Sequence, residues 1–165
     1  MNLFLWGALP YIAFTFLIAG TLIRFFYFES NWTTKSSEFL EKKQLRIANP
    51  LFHFGLACVL GGHIVGVLMP KTWTAALGIN DHMYHEGALY MGAVAGVLFI
   101  VGFLLLMKRR FTVKALEANT STLDKWLYLF LALAIFSGMT GTLLNYAGFF
   151  DYRVSIGPWF RGLLM

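Results

Sequence analysis

The chain has 165 residues, of which 58% are hydrophobic and 13% are charged. Soluble domains carry about 25% charged residues, so the composition excludes an ordinary soluble protein and indicates an all-α integral membrane protein. The formal net charge is +5, but the basic residues lie in short segments between apolar runs, where they orient a membrane protein instead of binding nucleic acid. The single cysteine, Cys58, lies inside an apolar run, which excludes a disulfide framework and a cysteine-based metal cluster on this chain.

The first apolar run predicts a membrane helix over about residues 3–28, in contact with lipid. No charged side chain precedes Arg24. A signal peptide would have a basic start, a shorter apolar core and a small-residue cleavage site, whereas here the first basic residue follows the apolar run. We therefore expect this helix to be retained.

A polar segment, Glu29 to Arg46, connects the first two helices. Its basic residues are Lys35, Lys42, Lys43 and Arg46. Its apolar residues Phe39, Leu40 and Leu45 are spaced so that a short helix could lie on the surface. The segment is either a solvated connector or a docking surface for a soluble partner.

The second helix is predicted over about residues 47–69, a run without formal charge that contains His53 and His63. Ten residues of helix place the two imidazoles roughly 15 Å apart along the axis and about 80° apart around it, so they cannot share one small ion. Each could instead ligate one of two haems, with a second ligand from another helix. The alternative is that both histidines are hydrogen-bonded between helices.

Small residues accompany these histidines along the second helix. They are Gly55, Gly61, Gly62 and Gly66. Missing side chains would leave flat room for a porphyrin, but glycine also promotes close helix packing in membranes. The glycines therefore favour the haem interpretation only weakly.

Two further apolar runs complete a single membrane domain over residues 1–165. After Pro70, residues 71–86 are predicted to form a loop, and the third helix follows over about 87–107. Gly92 and Gly96 form a GxxxG pattern typical of close packing. Lys108-Arg109-Arg110 is expected to end this helix sharply, and a fourth helix is predicted over about 126–150.

The basic residues predict the topology. Four Lys or Arg residues lie between the first and second helices and four lie from Lys108 to Lys114, whereas the second loop contains Lys71 and the tail contains Arg153 and Arg161. The positive-inside rule then places the first and third loops in the cytoplasm. Both ends of the chain lie outside, with His53 toward the cytoplasm and His63 toward the outer face.

Together these residues resemble the gamma subunit, a cytochrome b, of the membrane-bound respiratory nitrate reductase. The resemblance covers essentially the whole chain. The strongest matches are Leu51-Phe52-His53-x-Gly55, Gly62-His63-x-x-Gly66 and Lys108-Arg109-Arg110. Supporting matches are Trp32-x-x-Lys35-Ser36-Ser37 in the first loop and Pro158-Trp159-Phe160-Arg161-Gly162 in the tail.

The resemblance implies a five-helix bundle that holds two b haems, each between two histidines. His53 would ligate the cytoplasmic-side haem and His63 the outer haem, near which menaquinol or ubiquinol is oxidised. Electrons would pass to an iron–sulfur beta subunit and then to a molybdenum-containing alpha subunit that reduces nitrate, in respiration or assimilation. The subunit would lie in the inner membrane of a bacterium or an archaeon, with the iron–sulfur clusters and the molybdenum cofactor only on its partners.

One feature departs from the family pattern. The family's other two haem ligands lie on a fifth helix after the matching tail, and the sequence ends at Met165 before such a helix. We therefore expect the sequence to be incomplete at its C terminus.

Further polar residues are candidates for function at the two faces. His85 and Glu86, ahead of His82, could accept protons from a quinol, although a solvated loop at a helix start is the simpler interpretation. His-x-x-His-Glu is not the zinc-protease order. Arg109 and Arg110 are expected to fix the topology, and either could also pair with a haem propionate.

Two other functions compete with the quinol-oxidising nitrate reductase subunit. One is a diheme cytochrome b of another quinol-linked reductase, for example one that acts on a sulfur compound. The other is a haem-free membrane anchor or small transporter. A transporter would be expected to have broken helices with charged groups at mid-membrane, or an internal repeat, and the sequence has neither.

Overall fold

The structure is a computed structural model that describes residues 2–28, 37–149 and 151–164. Within these ranges every regular element is a helix, which confirms the all-α fold. The chain forms two compact units, Met1–Ser37 and Glu38–Met165. Most of the predicted connector, residues 29–36 with Lys35, lies outside the described residues, as does residue 150 at the end of the predicted fourth helix.

The first unit contains one apolar helix. A π-helical turn, Phe4–Ala8, continues directly into helix α1, Leu9–Tyr27. Pro10 lies in the first turn of α1, directly after the π-helical turn, and has no backbone N–H to donate. The 24 residues from Phe4 to Tyr27 are long and apolar enough to cross a membrane, in agreement with the predicted helix over about 3–28.

The second unit contains three long helices and three short ones. They are α2 (Lys43–Leu68), α3 (Lys71–Ala76), α4 (Asp81–Thr112), α5 (Lys114–Ala118), α6 (Thr122–Tyr146) and α7 (Ile156–Leu164). The helices α2, α4 and α6 are each long and apolar enough to span a membrane. With the helix of the first unit they confirm the four predicted membrane helices.

The prediction for residues 71–86 was wrong, because this segment is largely helical. It contains α3 and the first turns of α4, which begins at Asp81 and not near residue 87. The side chain of Asn80 accepts a hydrogen bond from the backbone N–H of Met83 at 2.8 Å, which caps the helix. At the other end α4 continues through Lys108-Arg109-Arg110 to Thr112, so these basic residues do not end the helix.

The other long helices also begin earlier than their apolar runs. Helix α2 starts at Lys43, four residues before Ile47. Helix α6 starts at Thr122, where Ser121 and Asp124 form a reciprocal capping box. Charged side chains are tolerated in these first turns because they reach solvent or the interface, so hydropathy alone places the helix starts too late.

Helices α2 and α4 pack closely in antiparallel orientation. A Cβ atom built on Gly55 would lie 2.7 Å from Cα of Phe99, and one on Gly102 would lie 2.6 Å from Cα of Phe52. The rings of Phe52 and Phe99 lie 5.1 Å apart. Each helix thus places a phenylalanine against a glycine of the other, and only glycine permits this backbone approach.

The predicted GxxxG face on α4 is not where the helices approach most closely. Within the described part of the chain, a Cβ on Gly92 would meet nothing within 4 Å. A Cβ on Gly96 would lie 3.8 Å from the sulfur of Met139 on α6, an ordinary contact. Close packing uses Gly102, one and a half turns further along α4.

Polar contacts define two ends of the second unit. We call residues 38–46 and 108–125 the His53 end, because Arg109 bonds to Glu41 and Arg110 bonds to Asp124 there. We call residues 66–86 and 151–164 the His63 end, where Arg153 bonds to Asp81 and Arg161 bonds to Val67. Each histidine of α2 lies nearer to the end that carries its name.

Candidate functional site

His53 and His63 are exposed on α2 and have the same local geometry. The Nδ1 atom of His53 lies 2.9 Å from the carbonyl oxygen of Asn49, and that of His63 lies 2.7 Å from the carbonyl oxygen of Val59. A carbonyl oxygen only accepts hydrogen bonds, so each Nδ1 carries the proton and donates it. In a neutral imidazole with its proton on Nδ1, the lone pair is on Nε2, and Nε2 is then the atom that can ligate a metal.

The helix separates the two imidazoles. Helix α2 is continuous from Lys43 to Leu68, so the expected offset of roughly 15 Å along the axis applies. Metal-binding histidines commonly donate their second ring N–H to a carbonyl, which fixes the ring orientation. The backbone of α2 accepts this hydrogen bond at both positions. The geometry of His53 and His63 is therefore compatible with each of them holding a separate haem.

The four glycines of α2 have two different roles. Gly55 packs against the backbone of Phe99, and a Cβ on Gly66 would lie 3.1 Å from a ring carbon of Tyr152. Within the described part of the chain, a Cβ on Gly61 or Gly62 would meet nothing within 4 Å. Open space thus adjoins His63, whereas Gly55 and Gly66 serve packing.

The candidate quinol-site residues lie in the first two turns of α4. His82 and Glu86 are exposed and lie one turn apart, with Nε2 of His82 3.6 Å from Oε1 of Glu86. His85, which lies between them in the sequence, is half-buried. Among the described residues no three His, Cys, Asp or Glu side chains are placed to hold a metal ion, so a metal interpretation of His-x-x-His-Glu gains no support.

The sequence did not indicate the buried cluster around Arg153. The residue is only 7% exposed. Its Nη1 donates to Oδ1 of Asp81 at 3.1 Å, and its Nη2 donates to Oγ1 of Thr74 at 3.0 Å. Its guanidinium carbon lies 3.7 Å from the centre of the Tyr84 ring, a cation–π distance. The partners are more than 60 residues away in sequence, so no local pattern could have identified them.

A second arginine, Arg161 on α7, connects the segment 151–164 to α2. Nη1 of Arg161 donates to the carbonyl oxygen of Val67 at 2.7 Å, one of the last four carbonyls of α2, which have no partner inside the helix. Burial raises the pKa of Tyr152 to about 12, with further contributions from Tyr84. The segment 151–164 therefore contacts α2, α3 and α4 together.

The arginines at the His53 end are held by carboxylates. Arg109 is 3% exposed, and its Nε donates to Oε2 of Glu41 at 2.7 Å. Hydrogen bonds from the backbone N–H of Gln44 and from Arg109 lower the pKa of Glu41. Nη2 of Arg110 donates to Asp124 at 3.1 Å. In this structure the guanidinium of Arg109 binds Glu41, and a pairing of Arg109 or Arg110 with a haem propionate stays a prediction.

Comparison with known proteins identifies the family. A profile described as nitrate reductase gamma subunit matches residues 2–165. The chain belongs to the nitrate reductase gamma subunit family. It is therefore a membrane subunit of nitrate reductase, an oxidoreductase complex.

Curated relatives agree with this family. The nitrate reductase gamma chain of Bacillus subtilis (strain 168) is 43% identical over 162 residues, 98% of this chain and 73% of the relative. The nitrate reductase-like protein NarX of Mycobacterium tuberculosis (strain ATCC 25618 / H37Rv) is 37% identical over 96% of this chain but 25% of its own length. The respiratory nitrate reductase 1 gamma chain of Escherichia coli (strain K12) is 32% identical over 75% of this chain and 55% of its own length.

Proposed function

We propose that this chain is the cytochrome b subunit that oxidises quinol and delivers the electrons to nitrate-reducing partner subunits. The observation that carries the proposal is the geometry of His53 and His63. Both imidazoles are exposed on one membrane helix, and both donate Nδ1–H to a helix carbonyl. The family match supports nitrate as the terminal acceptor over another quinol-linked reductase.

Each histidine would hold one haem through Nε2. The hydrogen bond at Nδ1 fixes the tautomer and raises the basicity of the ligating nitrogen. A haem b held at each position supplies one-electron redox chemistry, which imidazole alone does not have. The role of this chain is to hold the two haems in series, at different depths of a hydrocarbon layer about 30 Å thick.

The distribution of charge supports a direction for electron transfer. The exposed Lys and Arg side chains concentrate at the His53 end, which the positive-inside rule places in the cytoplasm. The His63 end then faces outward, where quinol is oxidised and its protons are released. The chain is a multi-pass protein of the inner membrane with its N terminus outside.

The His53 end also offers a surface for the iron–sulfur beta subunit, which in turn reaches the molybdenum alpha subunit. Phe39 is 96% exposed on the turn before α2, and the contact between Glu41 and Arg109 anchors that turn to α4. Lys42 and Lys43 lie directly beside it and are exposed. An exposed apolar side chain on an anchored turn, followed by two exposed lysines, suits a soluble partner with an acidic rim.

We propose that His85 and Glu86 accept the quinol protons at the His63 end. His85 is half-buried, and a neutral imidazole has one nitrogen that can accept a proton. Glu86 lies beside His82, which gives a released proton a path to solvent. If the double variant His85→Gln, Glu86→Gln oxidised quinol at the wild-type rate in the assembled complex, this role would be excluded.

The proposal is tested by replacing each histidine in the complete, partner-bound complex. His63→Leu is expected to remove one low-spin haem b signal and to abolish reduction by quinol. His53→Leu is expected to remove the other signal, to leave the remaining haem reducible by quinol, and to block nitrate reduction. Optical and EPR redox titrations, with quinol-to-nitrate turnover, measure all three effects.

His82→Leu is the matched control, because it removes an exposed histidine at the His63 end that is not a proposed ligand. It should keep both haems. A wild-type complex without low-spin haem b would refute the proposal and favour a haem-free anchor. Retention of both haems and full turnover in His53→Leu or His63→Leu would exclude the replaced histidine as an essential haem-binding residue.

A further inference from the structure

The segment 151–164 is held by a buried guanidinium. Arg153 donates to Asp81 at the start of α4 and to Thr74 of α3, and it stacks on Tyr84. A guanidinium that is 7% exposed is stable only while such partners remain, because removing one partner leaves a buried charge uncompensated. The cluster therefore fixes the beginning of this segment on α3 and α4.

The same segment reaches the last turn of α2 at two points. Tyr152, next to Arg153, packs its ring against Gly66. The backbone N–H of Gly157 donates to the carbonyl of Tyr152 at 2.8 Å, which leads into α7 and places Arg161 on the carbonyl oxygen of Val67. The last turn of α2 is thus tied to α3 and α4 through residues 151–161.

His63 lies one turn before the residues that these contacts hold. In an α-helix the N–H of residue 67 donates to the carbonyl of residue 63, so fraying of the last turn releases the backbone of His63. The imidazole would then lose a fixed orientation relative to its partner, the carbonyl of Val59. Helix ends fray unless their terminal carbonyls find partners, and Arg161 is such a partner.

We propose that Arg153 is a positioning residue that fixes the orientation and surroundings of His63 through the segment 151–164, an inference that rests on the proposed haem function of His63. Its influence is selective. His53 lies ten residues earlier on α2, roughly 15 Å away along the axis, in the part of the helix that packs against the backbone of α4. Disturbing Arg153 therefore changes the His63 site and leaves the His53 site unchanged.

The test uses redox potentials of the assembled three-subunit complex. Loosening the His63 site admits water, which stabilises the more positive, oxidised form of a bound haem and lowers its midpoint potential. Arg153→Met is expected to lower the midpoint potential of the haem that His63→Leu removes, with the other potential unchanged. Thr74→Val removes one hydrogen bond from the cluster and should produce a smaller shift of the same sign.

Hydrogen–deuterium exchange provides a second readout that does not depend on haem. Amides at the C-terminal end of α2 should exchange faster in both variants, whereas amides near Phe52 should not change. Lys71→Met is the matched control, because it removes the other cation on Asp81 but does not touch the segment 151–164. It should leave both potentials and both exchange rates at their wild-type values.

Unchanged potentials in an assembled variant, or equal shifts of both haems, would overturn the positioning role. If Arg153→Met fails to assemble, Thr74→Val decides the question. A wild-type complex without low-spin haem would instead refute the proposed function, and the inference with it. Failure of the proposed function is distinguishable from failure of the positioning role, because the absence of haem is seen in the wild-type complex before any substitution is made.

Discussion

The two halves of α2 are held in different ways. Around His53, Phe52 and Gly55 pack directly against the backbone of α4. Around His63, Gly61 and Gly62 have open space in the described part of the chain, and the helix is held at its end by Tyr152 and Arg161. One half thus depends on the close approach of two helix backbones, and the other depends on side chains 86 and 94 residues later in the chain.

The His53 end and the His63 end also differ in how many exposed cationic side chains they carry. In the described part of the His53 end, six cationic side chains are exposed: Lys42, Lys43, Arg46, Lys108, Lys114 and Lys125. At the His63 end, Lys71, Arg153 and Arg161 each donate to a protein acceptor. Lys42 pairs with Glu38 at 3.5 Å, but the described part of the His53 end still presents more exposed positive charge to a membrane surface than the described part of the His63 end.

The largest expected effect concerns the side of the membrane on which each end lies: the His53 end should lie entirely in the cytoplasm and the His63 end entirely outside. A reporter fused at about Leu116 should be active in the cytoplasm, and one fused at about Leu77 should be active only outside, because exposed Lys and Arg residues stay on the cytoplasmic side. Paired reporters that work on opposite sides of the membrane would measure both positions. The reverse pattern would overturn the proposed direction of electron transfer.

A graded series of glycine substitutions tests the two modes of packing. Gly102→Ala places a Cβ against the backbone of Phe52, which cannot yield without separating α2 from α4. We expect a loss of about 1–3 kcal/mol in the free energy of unfolding, the usual cost of overpacking. Gly66→Ala should cost less, because its neighbour is the ring of Tyr152, which can shift. Chemical unfolding in detergent measures both.

Gly92→Ala is the control for this series, since its Cβ would meet nothing within 4 Å in the described structure. Alanine is favoured over glycine inside a helix by up to about 1 kcal/mol, so this variant should be neutral or slightly stabilised. An equal loss in Gly92→Ala and Gly102→Ala would show that helix approach is not what limits stability.

The smallest expected effect is a difference in pH dependence. The pKa of Glu41 is lowered in the fold by its hydrogen bonds from Gln44 and Arg109, so its contribution to stability is present above its unfolded pKa of about 4.3 and is lost as the pH falls. The pKa of Tyr152 is raised to about 12, first by burial. Its contribution is complete below its unfolded pKa of about 10 and is lost as the pH rises toward 12.

The variants Glu41→Gln and Tyr152→Phe separate these two contributions. Glu41→Gln should flatten the acid limb of stability against pH, and Tyr152→Phe should flatten the alkaline limb. Thermal unfolding at a series of pH values measures both limbs. Unaltered limbs in the two variants would mean that other groups control the pH dependence.

Local sequence signals predicted much of the fold. Helix-capping residues were also present in the sequence and would have improved the predicted helix starts. Apolar runs predicted the four long helices because the hydrocarbon layer requires about 20 apolar residues. The start of α4 was misplaced, although Asn80 followed by Asp81 is a capping pattern, and Ser121-x-x-Asp124 similarly marks the start of α6. Hydropathy reports where a helix is apolar, whereas caps report where it begins.

The sequence by itself determined the membrane class, the four long apolar helices and the spacing of His53 and His63, because these follow from hydrophobic length and helix geometry. Only the tertiary structure decided that Gly102 makes a close helix contact, that Glu41 holds Arg109, and that Arg153 joins three elements. These contacts join residues 50 to 79 positions apart. Burial makes a polar group bond to whichever partner the packing brings near, and one-dimensional patterns do not encode that choice.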